Sequence, residues 1–342
     1  MSGAGARVAR LASGLGRLAG AFGVGLMAER ALMAALRGSD SEGPVSPLPA
    51  DVSRRMLPTP DGGSVHVIER GSGRPLVFLH GITFQASAWA HQFDLSDQFR
   101  VIACDLRGHG DSAPGSDGFG LDVLASDLAT LLAGLDLHDA ILVGHSMGGM
   151  TVQTFCRQYP EVLEARVAGL VLLSTSARRV MLADDQAGAL ARQLAERGDK
   201  KNWAPFPLLR LPWSDLVEAA TRFVFGRSPN RVDVARAWAM YDAMDDEYLG
   251  RSSIGLLTYD VREALLDIDV PTLVVTGELD RLTPPPFARE MAGLLPRSEL
   301  HLLPGAGHQI MFERPGELDG LIRSFAAGLD GERASERDLS GP

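Results

Sequence analysis

The chain has 342 residues and a mass of 36.5 kDa, with 45% hydrophobic and 22% charged residues. It is too apolar for a disordered chain and too aperiodic for collagen or a coiled coil. Its 33 Lys and Arg against 43 Asp and Glu give a net charge of −10 and a pI near 5.3, which argues against a nucleic-acid partner because little would neutralise a row of phosphates. Two cysteines, Cys104 and Cys156, cannot build a disulfide scaffold or a four-ligand zinc site.

The first segment departs from the acidic balance. Residues 1–28 carry Arg7, Arg10 and Arg17 and no acidic residue. Val8, Leu11, Leu15, Leu18, Phe22 and Leu26 recur at steps of three and four, the helical period, and Ala31–Leu36 continues the pattern. Gly14, Gly16, Gly20, Gly23 and Gly25 each weaken a soluble helix by about 1 kcal/mol relative to Ala, a penalty that is better tolerated under lipid or a neighbouring helix. The uncharged stretch Leu18–Ala28 is shorter than the roughly 20 residues needed to span a bilayer, and extending it to Leu11 brings in Arg17. Residues 1–37 thus form an apolar Arg/Gly helix for which membrane contact, a cleaved signal and a packing extension are alternative roles. The location that follows is cytoplasmic or membrane-associated. Residues 38–50, GSDSEGPVSPLPA, read as a linker.

Beyond the linker, short apolar runs alternate with helical stretches. The runs are VHVIE (65–69), PLVFLH (75–80), VIACD (101–105), AILVGH (140–145), GLVLLS (169–174), TLVVTG (272–277) and LHLLP (300–304). Most are continuous rather than alternating, as for strands buried on both faces of a parallel sheet. Helical patterns fall near 120–134, 147–158 and 315–328. This strand-then-helix order predicts an α/β fold with a mostly parallel doubly wound sheet, its core spanning 51–176 and 266–329. Residues 177–265 break the rhythm with helical patterns and the Pro/Trp-rich WAPFPLLRLPW (203–213). They predict a helical cap inserted between two strands, over the carboxyl ends where ligands bind in open α/β sheets. Residues 330–342 read as a flexible, solvated tail.

The strongest local signal is Gly144-His145-Ser146-Met147-Gly148, a G-x-S-x-G between the strand AILV and the helix beginning MGGMTVQTF. That context is a strand-to-helix turn that holds a serine in a strained conformation above a sheet. Serine needs a base, and of eight histidines His308, in PGAGH after the last strand, is placed to reach over the carboxyl edge. His80, His109 and His145 lie in turn motifs where structural roles are expected, and His301 lies within a strand run. The acid that orients the imidazole is Asp280, in GELD after TLVVTG, with Glu278 and Asp105 as competitors. The order Ser146, Asp280, His308 is the Ser–acid–His order of α/β-hydrolases. Oxyanion donors are expected from the backbone N–H groups of Met147 and of Ile82, in the loop His80-Gly81-Ile82-Thr83, with the Thr83 side chain as a further candidate.

HGIT (80–83), DLRGHGDS (105–112), GHSMGGM (144–150), GELD (277–280) and GAGHQIMFERP (305–315) together resemble the α/β-hydrolase fold superfamily over roughly residues 52–328. The texture is similar to bacterial serine esterase, lipase and cofactor-free haloperoxidase-like members, including those with an N-terminal hydrophobic leader. The resemblance implies that the 177–265 cap shapes the pocket. It also implies that Ser146, where epoxide hydrolases and haloalkane dehalogenases carry an aspartate, attacks a carbonyl. The expected activity is hydrolysis of a small-molecule carboxylic ester with an apolar acyl or alcohol part, with no metal and no organic cofactor. Trp203, Phe206, Leu208, Leu209, Leu211 and Trp213 would either line that pocket or fasten cap to core. The alternatives are a C–C bond hydrolase, lactonase or perhydrolase with the same triad, or a non-catalytic hydrolase-fold binding protein. Oligomeric state is left open.

Overall fold

The computed structural model describes residues 48–179, 224–227, 229–245, 248, 252, 255, 256 and 258–339. The expected helix of residues 1–37, most of the 38–50 linker and the Trp203–Trp213 stretch lie outside the described residues.

Eight strands form one sheet in the order β1-β2-β4-β3-β5-β6-β7-β8. They are β1 (Ser53–Pro58), β2 (Ser64–Arg70), β3 (Pro75–Leu79), β4 (Arg100–Cys104), β5 (Ala140–His145), β6 (Val167–Leu173), β7 (Thr272–Gly277) and β8 (Ser298–Leu303). β1 pairs antiparallel with β2 and β2 with β4; every other pairing is parallel. The described helices include α1 (Leu121–Gly134), α2 (Met147–Gln158), α3 (Pro160–Arg166), α4 (Arg231–Asp242), α5 (Pro285–Leu294) and α6 (Pro315–Leu339), with 3₁₀ segments at Ala86–Asp97 and Ala264–Asp267 and a single turn at Ile310–Glu313. Among the described residues no helix is long and apolar enough to cross a membrane.

The continuous apolar runs have the expected cause. In β3, Val77 and Leu79 enter one core and Leu76 and Phe78 the other; in β5, Ala140 and Leu142 face one side and Ile141 and Val143 the opposite one. The first core is closed by Leu124, Leu128 and Leu131 of α1, Met150 and Phe155 of α2 and Met291 of α5. The second is closed by Trp89 and Phe93 of the 3₁₀ segment and Leu318 and Ile322 of α6. A fully buried Leu, Ile or Phe contributes about 1.5–3 kcal/mol, so this double-sided burial holds the carboxyl ends of β3, β5, β6 and β7 at one fixed edge.

Two elements differ from the sequence expectation. β1 has no apolar period, and almost all of it is exposed. It exists through its ladder with β2, a tertiary cause that periodicity does not report. The C-terminal helix expected over 315–328 runs on to Leu339. Glu332, Arg333, Ala334, Glu336, Arg337 and Leu339 are good helix formers that sustain a helix without an apolar stripe.

Candidate active site

The strand-to-helix turn after β5 places Ser146 at the start of α2. Ser146 has φ 51° and ψ −116°, a positive φ that costs a non-glycine residue of order 1–3 kcal/mol and persists only where the surroundings dictate it. They do so here. The Ser146 N–H donates to Leu173 O at 3.0 Å, and the Ser146 carbonyl accepts from Met150 N–H at 3.1 Å and from Thr175 Oγ1 at 2.7 Å. The flanking glycines are required by contact. A Cβ on Gly144 would lie 2.6 Å from Gly148 O, and one on Gly148 would lie 2.2 Å from Leu79 O. The result is a partly exposed serine on an otherwise buried turn.

His308 and Asp280 meet at the same edge. The loop after β7 carries Asp280, and the loop after β8 carries His308, both almost fully buried. His308 Nδ1 lies 2.8 Å from Asp280 Oδ2. The carboxylate also accepts from the Leu282 and Thr283 N–H groups at 2.9 Å each and from Thr283 Oγ1 at 2.7 Å. Burial works to raise the pKa of the Asp280 carboxyl; the charge and hydrogen bond of His308 and the Thr283 donors outweigh it, leaving the carboxyl below its ordinary value. An anionic Asp280 favours an Nδ1–H imidazole whose Nε2 is left free as a base.

His145 links the serine turn to this pair. Its Nε2 lies 3.0 Å from the His308 backbone oxygen, and the two rings are 4.8 Å apart between centroids. Burial, and then the proximity of His308, hold the His145 pKa well below its usual value. His145 is therefore a neutral ring donating through Nε2. The 80–83 loop completes the edge. A Cβ on Gly81 would lie 3.1 Å from Ser146 Cβ, so this loop runs against the serine, and Thr83 within it has a positive φ of 71°. Met147 is the first residue of α2, where helix geometry leaves the N–H without an intrahelical partner.

A family model for the alpha/beta hydrolase fold matches residues 74–315, the span that contains every residue of this edge. The chain belongs to the α/β-hydrolase fold family. It is an α/β-hydrolase enzyme at that level. The chain is similar to the non-heme chloroperoxidase CPO-A1 of Kitasatospora aureofaciens, with 32% identity over 80% of this chain and 98% of that protein. It is similar to a thermophilic esterase from Thermogutta terrifontis, with 28% identity, a TM-score of 0.68 and coverage of 81% of this chain and 99% of that one. A bromoperoxidase from Bacillus anthracis, 22% identical with a TM-score of 0.66 over 80% of this chain and 99% of that one, has the same fold.

In this α/β-hydrolase the competing residues serve the scaffold. Glu278 is exposed and accepts from Gly305 N–H at 3.4 Å. Asp105 is buried and binds His66 Nδ1 at 2.7 Å, Ala86 N–H at 2.6 Å and Asp111 N–H at 2.9 Å, so it organises the 105–112 turn. His66, Asp105 and Asp111 bring ligand-type atoms within 4.8 Å of one another, but these bonds already occupy the Asp105 oxygens. His80 spans Leu106 N–H and Gly81 O, His109 binds Arg107 O, and the partly exposed His301 binds Glu299.

Thr283, Thr175 and the bridging role of His145 were not legible as parts of the site. The spacing Asp280-Leu282-Thr283 is that of an Asx-type turn, a signal that points to Thr283. Nothing local marks Thr175, which reaches Ser146 only through the pairing of β5 with β6.

Proposed function

We propose that the protein is a serine hydrolase that cleaves a carboxylic ester through an acyl-enzyme on Ser146. The observation that carries this is a serine held at positive φ on the sheet edge that also bears the buried Asp280–His308 pair. Ser146 Oγ attacks the ester carbonyl while His308 Nε2 takes its proton. The N–H groups of Ile82 and Met147 receive the oxyanion, where each such donor is worth on the order of 100- to 1000-fold in rate. Asp280, oriented by Thr283, holds the imidazole and stabilises its cation. His308 then protonates the departing alcohol. It next deprotonates water, whose oxygen attacks the acyl carbonyl; the acid leaves and the proton returns to Ser146.

The likeness to a non-heme chloroperoxidase supports a second outcome for the same intermediate. Hydrogen peroxide in place of water would attack the acyl carbonyl and release a peracid and free Ser146, with the same residues in the same roles. Residues 1–37, apolar and free of acidic side chains up to residue 28, are proposed as a membrane contact.

Turnover of p-nitrophenyl esters of increasing acyl length, beside a ring-cleavage diketone and a lactone, tests the ester assignment. Ester turnover that rises with apolar chain length supports it, and turnover of the diketone or lactone alone overturns it. Fractionation of the full-length protein tests the membrane contact, and recovery of all of it in the soluble fraction refutes that role.

A further inference from the structure

The His308 loop is gripped by a carboxylate that the reaction above does not use. Glu313 closes the single turn Ile310–Glu313. Its carboxylate accepts from Gly307 N–H at 3.0 and 3.1 Å, from Gln309 N–H at 3.2 Å and from Gly226 N–H at 2.6 Å. Gly307 and Gln309 flank His308 on either side. Gly226 belongs to residues 224–227, where the chain re-enters the described fold after the 180–223 stretch.

The same segment meets the His308 loop backbone to backbone. His308 N–H donates to Val224 O at 2.8 Å, and Arg227 N–H donates to Gly305 O at 3.1 Å. The fit excludes side chains: a Cβ on Gly226 would lie 2.2 Å from Gly305 O and 2.7 Å from Glu313 Oε2, and one on Gly307 would lie 2.5 Å from Gly226 N. Glu313 is half-buried, and among the described residues no Lys or Arg nitrogen forms an ion pair with its carboxylate. Backbone N–H groups from two separate segments are its partners. Burial pushes its pKa up against the pull of those donors. A carboxylate that takes hydrogen bonds from backbone N–H groups of two crossing, glycine-bearing segments acts as a joint between them, because an anion accepts all these bonds at once while a neutral side chain of the same shape does not.

We propose that Glu313 is a positioning residue that ties the His308 loop to residues 224–227, so that the placement of the His308 imidazole depends on the seating of the segment returning from the 177–265 insertion. This rests on the assignment of His308 as the base.

The test compares E313Q, E313D and G226A with the full-length wild type. Glutamine keeps the size but turns an NH₂ toward N–H donors; aspartate keeps the charge one methylene short; G226A forces residues 224–227 away and leaves the carboxylate intact. The expected result for E313Q has three parts. Amide exchange at Gly226, Gly307 and Gln309 accelerates together by at least about tenfold, the low-field Nδ1–H proton resonance of His308 shifts or broadens, and kcat for an ester falls about 10- to 100-fold with KM within about threefold. E313D should recover part of the lost kcat, and G226A should speed exchange at Gly307 and Gln309. Unchanged exchange and an unchanged imidazole resonance in E313Q overturn the proposal, as does acceleration at Gly226 that leaves Gly307 and Gln309 protected. If E313Q does not fold, G226A carries the test, and wild-type exchange at residues 305–309 in it overturns the coupling. Exchange and resonance are read without turnover, so an inactive wild type contradicts the esterase assignment and leaves this test intact.

Discussion

His145 donates its Nε2–H to the backbone carbonyl of His308 at 3.0 Å. The residue preceding the candidate nucleophile thus anchors the loop of the candidate base, and the two are 163 positions apart in sequence. The remaining nitrogen, Nδ1, is buried with no partner among the described residues, as fits a neutral imidazole whose one proton is committed to the His308 carbonyl. His145→Phe keeps the ring volume and removes the donor, leaving a buried carbonyl unsatisfied. The expected loss is about 1–3 kcal/mol of stability and about tenfold or more in kcat, measured by urea unfolding and by ester kinetics. Wild-type kcat in His145→Phe contradicts the anchoring role.

Stability should fall on mild acidification. Burial holds the pKa of His80 at about 3 and those of His109 and His145 below the ordinary histidine value. Each ring stays neutral in the folded chain and takes up a proton on unfolding below about pH 6.5, so the unfolded state binds more protons and gains as pH drops. Each ring that remains neutral in the folded chain contributes up to about 1.4 kcal/mol per pH unit below about pH 6. His66, whose pKa is raised chiefly by its hydrogen bond to Asp105, has the opposite sign. Its contribution is full below about pH 6.5 and is lost as pH rises through its folded value. The depressed Asp280 pKa adds a further loss once pH falls below the ordinary aspartate range of about 4 and toward its folded value. Urea midpoints at pH 5, 6 and 7 measure this. Equal stability at pH 5 and 7 contradicts it.

The Asp280 environment separates orientation from packing. Asp280→Asn keeps the shape but removes the charge that fixes the imidazole tautomer, and kcat should drop by on the order of 1000- to 10,000-fold. Thr283→Val removes the 2.7 Å hydroxyl bond to Asp280 and the weaker 3.3 Å contact of the same hydroxyl with His308 Nδ1, and leaves the charge in place. It should cost about 1 kcal/mol of stability and only about 3- to 10-fold in kcat. Steady-state kinetics of the pair give the ranking, and a Thr283→Val loss equal to that of Asp280→Asn contradicts it.

Much of this edge was legible because it is written in local chemistry. The runs that became β3 to β7 are apolar on both faces, which the helices and the 3₁₀ segment on either side of the sheet explain. Gly144 and Gly148 announce the tight turn around Ser146 because no larger residue fits there. Asp280 and His308 stand at strand ends, where the topology brings them to one place. What escaped depends on distant partners. β1 is held by a neighbour strand and not by an apolar face, and Thr175 reaches Ser146 through sheet pairing. His145 finds His308 only after β5 and the loop following β8 are folded side by side. The Glu313 joint needs Gly226 and Gly307 to cross, and no spacing in the chain reports that crossing.

Covalent labelling with a fluorophosphonate probe tests the central claim, that Ser146 is the activated nucleophile. Wild type should label at a single serine, identified as Ser146 by peptide mapping, and Ser146→Ala should neither label nor turn over esters above background. Labelling that persists undiminished in Ser146→Ala, or a folded wild type that never labels, would contradict the account.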